Sequence, residues 1–147
     1  MAALDIHHVT INTADVDATV AFFNEVVGTR SVPRPDFGFP GAWLQLGSTM
    51  FHLNGGEAAK GMDGKIHRGG GAVDHIALVA HDFDSVKRTL TERKLPWRQN
   101  AIPSAGLWQL FVHDPNGVLI EFNFPVAKEP AGAQGPDDSV RYIPGTF

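Results

Sequence analysis

The feature that most constrains this chain is an internal duplication. His8-Val9-Thr10-Ile11 matches His75-Ile76-Ala77-Leu78 at a displacement of 67 residues, and Asp15 falls on Asp82 at the same displacement. Phe51-His52-Leu53-Asn54 matches Ile120-Glu121-Phe122-Asn123 at a displacement of 69, and "LQL" at Leu44–Leu46 resembles "WQL" at Trp108–Leu110 at 64. The displacement changes where hairpin turns absorb insertions, because Asp114-Pro115-Asn116-Gly117 is a longer turn than Gly47-Ser48. Such a chain builds one supersecondary unit twice. Each copy alone buries too little to be stable, so the two are expected to pair.

Each copy reads β-α-β-β-β. In "DIHHVTINT", Val9 and Ile11 alternate with Thr10 and Asn12, the period of a half-buried strand. Asp15 then N-caps a helix whose stripe is Val16, Val20, Phe23 and Val27, with Gly28 at its C-terminal end. "TRSVPRP" reads as a strand broken by proline, and "AWLQLG" and "TMFHLN" as a hairpin joined at Gly47-Ser48. The second copy supplies the strand "AVDHIALVA", a helix capped by Asp82 with Phe83, Val86 and Leu90 on one stripe, and three strands: "WRQNAIP", "GLWQLFVH" and "VLIEFNF". The predicted class is α+β, with tandem modules over 4–54 and 72–124. Residues 55–71 form a glycine-rich linker, and no Walker pattern is present in it. Residues 125–147 form an extended tail that Val140, Tyr142, Ile143 and Phe147 can dock.

Composition narrows the function. The net charge is −4, and no Lys/Arg block or basic aromatic face occurs, which argues against nucleic acid and anionic membrane as partners. With no cysteine, thiolate catalysis and Cys-based zinc sites are excluded. "MAALDIHHVT" lacks the apolar region of a signal peptide, and no apolar run approaches the roughly 20 residues that cross a bilayer. A cytoplasmic protein is expected.

Strand alternation places Val9, Ile11, Phe51, Leu53, Ile76, Leu78, Ile120 and Phe122 toward the helices. His8, His52, His75 and Glu121 then share the opposite face, which becomes an interior when the copies pair. A lone imidazole or carboxylate there is costly, and a shared divalent cation removes that cost. Glu121, bracketed by Ile120 and Phe122, needs a partner in any case, and Arg34 or Arg98 are the alternatives to a metal. His7 reads as a strand-start polar residue on the helix-facing side. His67, His81 and His113 read as exposed.

Paired β-α-β-β-β units with "HHVTINTADVDATVAFFNEVVG", "DHIALVAHDFDSV" and "FVHDPNGVLIEFNF" resemble the vicinal oxygen chelate superfamily over about Leu4 to Phe124. That group includes glyoxalase I, bleomycin- and fosfomycin-resistance proteins, methylmalonyl-CoA epimerase and extradiol dioxygenases. The resemblance implies a cup-shaped mixed sheet around a divalent ion (Zn, Ni, Fe or Mn), with His8, His52, His75 and Glu121 as ligands, and a homodimer. His52 departs from glyoxalase I, which typically carries an acidic residue there. "RPDFGFPGAWLQLG" and "MFHLN" look more like the glyoxalase-like branch.

The expected function is therefore that of a metal-dependent lyase or isomerase. Its small substrate chelates the ion through oxygens on adjacent carbons, and Glu121 is the catalytic base. Thr10, Asn12, Gln45, Asn54, Gln109, Phe111 and Asn123 are the expected pocket lining. Two competitors remain: an Fe(II) extradiol-type dioxygenase using His8, His75 and Glu121, and a non-catalytic drug-binding resistance protein.

Overall fold

In the computed structural model, residues 2–147 are described. They divide into two compact units, one ending at Arg68 and the other spanning Gly69–Phe147. The N-terminal unit contains β1 (His8–Asn12), α1 (Val16–Phe22), a five-residue π-helical turn (Phe23–Val27), β2 (Arg30–Val32), β3 (Gly41–Leu46) and β4 (Thr49–Asn54). Its four-stranded sheet runs β1-β4-β3-β2. The C-terminal unit contains β5 (His75–Val79), α2 (Phe83–Glu92), β6 (Trp97–Ile102), β7 (Leu107–His113) and β8 (Leu119–Pro125), in the equivalent order β5-β8-β7-β6. In each sheet the first and last strands of the copy pair in parallel and the remaining pairs are antiparallel. The fold is thus α+β with two tandem βαβββ modules.

The duplication holds at the level of register. Thr10 stands opposite His52, and Ala77 stands opposite Glu121. The matches displaced by 67 and 69 residues are therefore true equivalences. The match between "LQL" and "WQL" is not. Trp43 is the residue opposite His52 and Phe111 the residue opposite Glu121, so Trp43 corresponds to Phe111, one residue off the helix-to-strand displacement and four off the expected one. Ladder pairing across a short hairpin sets register, and a three-residue likeness does not.

Asp15 and Asp82 cap their helices as the sequence predicts, accepting from the backbone of Ala18 and Ser85 at 2.9 and 3.2 Å. The stripe on the first helix differs from expectation. The N–H groups of Gly28 and Thr29 both donate to the Phe23 carbonyl, at 2.9 and 3.1 Å, and this wider turn rotates the face presented to the sheet. Thr19, Phe22, Phe23 and Val26 are buried, while Val16, Val20 and Val27 are only half-buried. Gly28 ends the segment at φ +92°, the left-handed conformation its place required. Phe23, Leu44, Phe51 and Leu53 form the centre of this core. In the C-terminal unit Phe83, Leu90, Leu110, Val112, Ile120, Phe122 and Phe124 do the same. The strand expected over "TRSVPRP" is confined to Arg30–Val32, since Pro33 offers no N–H to continue the ladder. The linker holds one 3₁₀ turn, Gly56–Ala59, with Ala59 buried.

The tail is pinned rather than merely extended. Glu129 accepts from the N–H groups of Asp82 and Phe83 at 3.1 and 2.8 Å, a second cap on α2. Asp84 accepts from Gln134 and Gly135 at 2.7 and 3.0 Å. Further on, fully buried Gln99 binds the tail twice. Its backbone N–H donates to the Val140 carbonyl (3.0 Å), its carbonyl accepts from Tyr142 (3.1 Å), and its amide donates to Asp137 Oδ1 and the Ser139 carbonyl at 2.6 and 2.8 Å. Of the four expected docking residues, Tyr142 and Phe147 are half-buried, while Val140 and Ile143 are exposed. No described helix is long and apolar enough to cross a membrane.

Candidate functional site

Each unit brings together the two side chains that the sequence assigned to it. In the N-terminal unit the His8 and His52 rings stack at 3.9 Å with 12° between planes, and Trp43 lies against His52 at 4.6 Å and 10°. Sheet order explains this stack, because β4 lies between β1 and β3. His52 Nε2 is buried and has no hydrogen-bond partner. Burial pushes the His52 pKa down, and the charges of His8, His7 and Arg34 add to the effect. Near neutral pH His52 is thus an imidazole with an unused nitrogen lone pair or N–H, the protonation state in which histidine binds a cation.

His7 belongs to this cluster and does not face the helices. Its Nδ1 stands 2.8 Å from His8 Nδ1, and its ring lies 6.5 Å from His52. His7 precedes β1, so strand alternation does not govern its direction.

In the C-terminal unit the acidic member is satisfied by neutral and imidazole groups. Glu121 is 8 % exposed. Its Oε2 stands 2.8 Å from His75 Nε2, and its Oε1 accepts from Gln109 Nε2 at 2.6 Å. Its partners are therefore His75 and Gln109 and not Arg98, whose guanidinium donates to the Trp97 carbonyl and lies over the Phe147 ring. Asp74 Oδ2 lies 2.7 Å from the other ring nitrogen of His75. Sequence reasoning missed Asp74, although an acidic residue directly before the histidine was the available signal. It precedes β5 and so escapes alternation, as His7 does before β1.

This arrangement fits a cation on chemical grounds. Asp74 beside Nδ1 fixes the orientation of the His75 ring, as a carboxylate does for a metal-bound histidine, and leaves Nε2 directed at Glu121. Each unit thus offers a donor pair of its own, His8 with His52 on one and His75 with Glu121 on the other, of residue types that bind divalent cations. No group of three or more His, Asp or Glu side chains placed to hold a metal ion occurs among the described residues.

The expected lining residues divide into two kinds. Thr10 and Asn12 are exposed on β1, and Asn54 is half-buried on β4. Phe111 is buried beside Glu121, with Tyr142 stacked on it at 3.7 Å. Gln109 holds the carboxylate, and the same Nε2 also donates to Asn123 Oδ1 at 3.0 Å. Gln45 donates to the Gly47 and Thr49 carbonyls at 2.6 and 3.2 Å, which commits its amide to the hairpin turn. Outside the cluster, His81 is exposed, and His67 is exposed and pairs with Asp63 at 2.9 Å.

His113 is not exposed as expected. It is half-buried, with its ring 4.6 Å from Phe147. Burial lowers its pKa, and the charge of Asp114 opposes the shift without cancelling it. The linkage follows. Below about pH 6.5 the unfolded chain takes up a proton that folded His113 resists, so stability falls as pH drops through that range and recovers above it. Urea midpoints measured from pH 8 to 5 are expected to fall on the acid side, and His113→Gln is expected to flatten that slope. An unchanged slope in the variant would remove His113 as the cause.

A sequence model of the Glyoxalase/Bleomycin resistance protein/Dioxygenase superfamily matches residues 5–122. A curated protein named Glyoxylase I 4, from Arabidopsis thaliana, is 27 % identical over 123 residues, covering 79 % of this chain and 68 % of the relative. Among solved structures, a lactoylglutathione lyase from Agrobacterium tumefaciens aligns with a TM-score of 0.62 at 19 % identity, over 84 % of this chain and 95 % of that one. The fosfomycin resistance protein FosX from Listeria monocytogenes aligns with a TM-score of 0.66 at 12 % identity, over 84 % and 94 %. At these identities the two structures speak for the fold.

Proposed function

Since the chain belongs to the Glyoxalase/Bleomycin resistance protein/Dioxygenase superfamily, we propose that it is a divalent-metal-dependent enzyme of the glyoxalase-like branch. Its substrate is a small molecule with oxygens on adjacent carbons, and its chemistry is of the lyase or isomerase type. The observation that carries this reading is the pair of half-sites: an orphaned, buried His52 Nε2 beside His8, and His75 Nε2 aimed at Glu121. His8, His52, His75 and Glu121 are the proposed ligands, and the proposed assembly is a homodimer.

When bound, the ion supplies Lewis-acid stabilisation of charge that develops on a substrate oxygen. The chain does the rest. Glu121 takes the proton from a substrate carbon at one carboxylate oxygen and can return it to the neighbouring carbon. Gln109, held by Asn123, fixes the other oxygen so that the carboxylate keeps its aim. Asp74 orients the His75 ring through Nδ1. Trp43 and Phe111 are apolar walls at equivalent places beside the two half-sites.

Elemental analysis of the protein as purified tests this reading. A stoichiometric divalent metal is expected, with severe loss in His52→Ala. Full metal content in that variant means that the ligand set is wrong. Protein that carries no metal, takes none up and still binds apolar ligands after chelator treatment is a binding protein. Oxygen uptake on catechols after anaerobic Fe(II) loading identifies the dioxygenase instead.

A further inference from the structure

The C-terminal tail does more than cover an edge strand. It runs beside β6 through the Gln99 pairings and lays Tyr142 flat on Phe111, with ring centroids 3.7 Å apart and 12° between planes. Phe111 is the register partner of Glu121, so both side chains rise from the same face of the C-terminal sheet. The tail thereby delivers a phenol to the face that holds the His75–Glu121 pair. Tyr142 is only half-buried, so part of the ring remains open.

The surroundings favour the neutral phenol. Burial disfavours the phenolate, and the charges of Asp74 and then Glu121 act in the same direction. Near neutral pH Tyr142 therefore keeps its proton and can donate it in a hydrogen bond. The tail is fixed on both sides of it, by Gln99 before and by Phe147 after. The Phe147 ring lies 4.6 Å from His113 and 4.5 Å from the Arg98 guanidinium.

We infer that Tyr142 is a ligand-facing residue of the Glu121 half-site, donating its hydroxyl to an oxygen of the anionic or oxygen-chelating molecule held there. This rests on the metal-site reading above and adds to it a substrate-binding residue from outside both modules.

Tyr142 is the sole tyrosine of the chain, so 3-fluorotyrosine labels this position alone. The ¹⁹F resonance of the labelled protein is expected to lie away from that of free 3-fluorotyrosine and to move in Glu121→Gln. Gln99→Ala, which releases the tail, is expected to return it to the free value. Zn²⁺ is then added, followed by acetohydroxamate as a bidentate oxygen probe, and each is expected to shift the resonance. By calorimetry on the unlabelled, zinc-loaded protein, Tyr142→Phe is expected to weaken acetohydroxamate binding roughly five- to tenfold, the loss of one hydrogen bond. A resonance at the free value in the wild type, or unmoved by Glu121→Gln, overturns the placement. Equal probe affinity in Tyr142→Phe overturns the ligand contact. Protein that takes up no zinc overturns the metal reading instead, and the Glu121→Gln arm then decides alone whether the phenol faces that carboxylate.

Discussion

Glu121→Ala is expected to abolish the stabilisation that a divalent cation confers. A ligand that binds only the folded state at a hundred times its dissociation constant stabilises by about 2.7 kcal/mol. For a chain of this size that corresponds to roughly 5–10 °C in thermal midpoint. The wild type should show a rise of this order on adding Zn²⁺, and Glu121→Ala should show none. The structure allows the two states to be separated. Without Glu121, His75 keeps its contact with Asp74, and Gln109 keeps its bond to Asn123. No buried partner is left bare, so the metal-free variant is expected to fold and to melt near the metal-free wild type. Thermal melts with and without Zn²⁺, paired with metal analysis, read both quantities. An equal zinc-induced rise in wild type and variant would show that the ion sits elsewhere.

The largest effect on stability is expected at Phe23. This ring is fully buried, stands 4.7 Å from Phe51 and 5.4 Å from Phe22, and opens the π-helical turn. Phe23→Ala removes most of a ring from a close-packed core and is expected to cost about 3–5 kcal/mol. That is a large fraction of the 5–15 kcal/mol by which folded domains usually persist. Phe23→Leu keeps the volume better and should lose clearly less. Urea unfolding followed by tryptophan fluorescence in a Trp97→Phe, Trp108→Phe background reports on this unit, since Trp43 lies in its sheet. A loss under about 1 kcal/mol in Phe23→Ala would mean that the turn, not the ring, organises the packing.

The order of elements in each module was legible from the periods of its segments, and the approach of His8 to His52 and of His75 to Glu121 within each unit was legible from strand alternation. His8, His52, His75 and Glu121 lie inside strands, where direction follows from position. Residues just outside strands were not legible. Asp74, His7 and Tyr142 reach the half-sites from positions where no period constrains the backbone. The misplaced match of Leu44–Leu46 with Trp108–Leu110 had another cause. A residue alignment compares neighbours along the chain, whereas the ladder compares neighbours across it, and Trp43 is defined by facing His52. The first-helix stripe failed because a single wide turn at Phe23 changes the angle per residue, which a fixed helical period cannot anticipate.

His52 and Glu121 occupy one and the same rung of two ladders built to one plan. An imidazole stands on the first and a carboxylate on the second, with the same strand neighbours to left and right. For the ligand set proposed above, the hardness of the donors is thus a matter of side-chain choice at a fixed backbone address. A change of side chain at either rung therefore changes the donor chemistry offered there without changing the strand pairing.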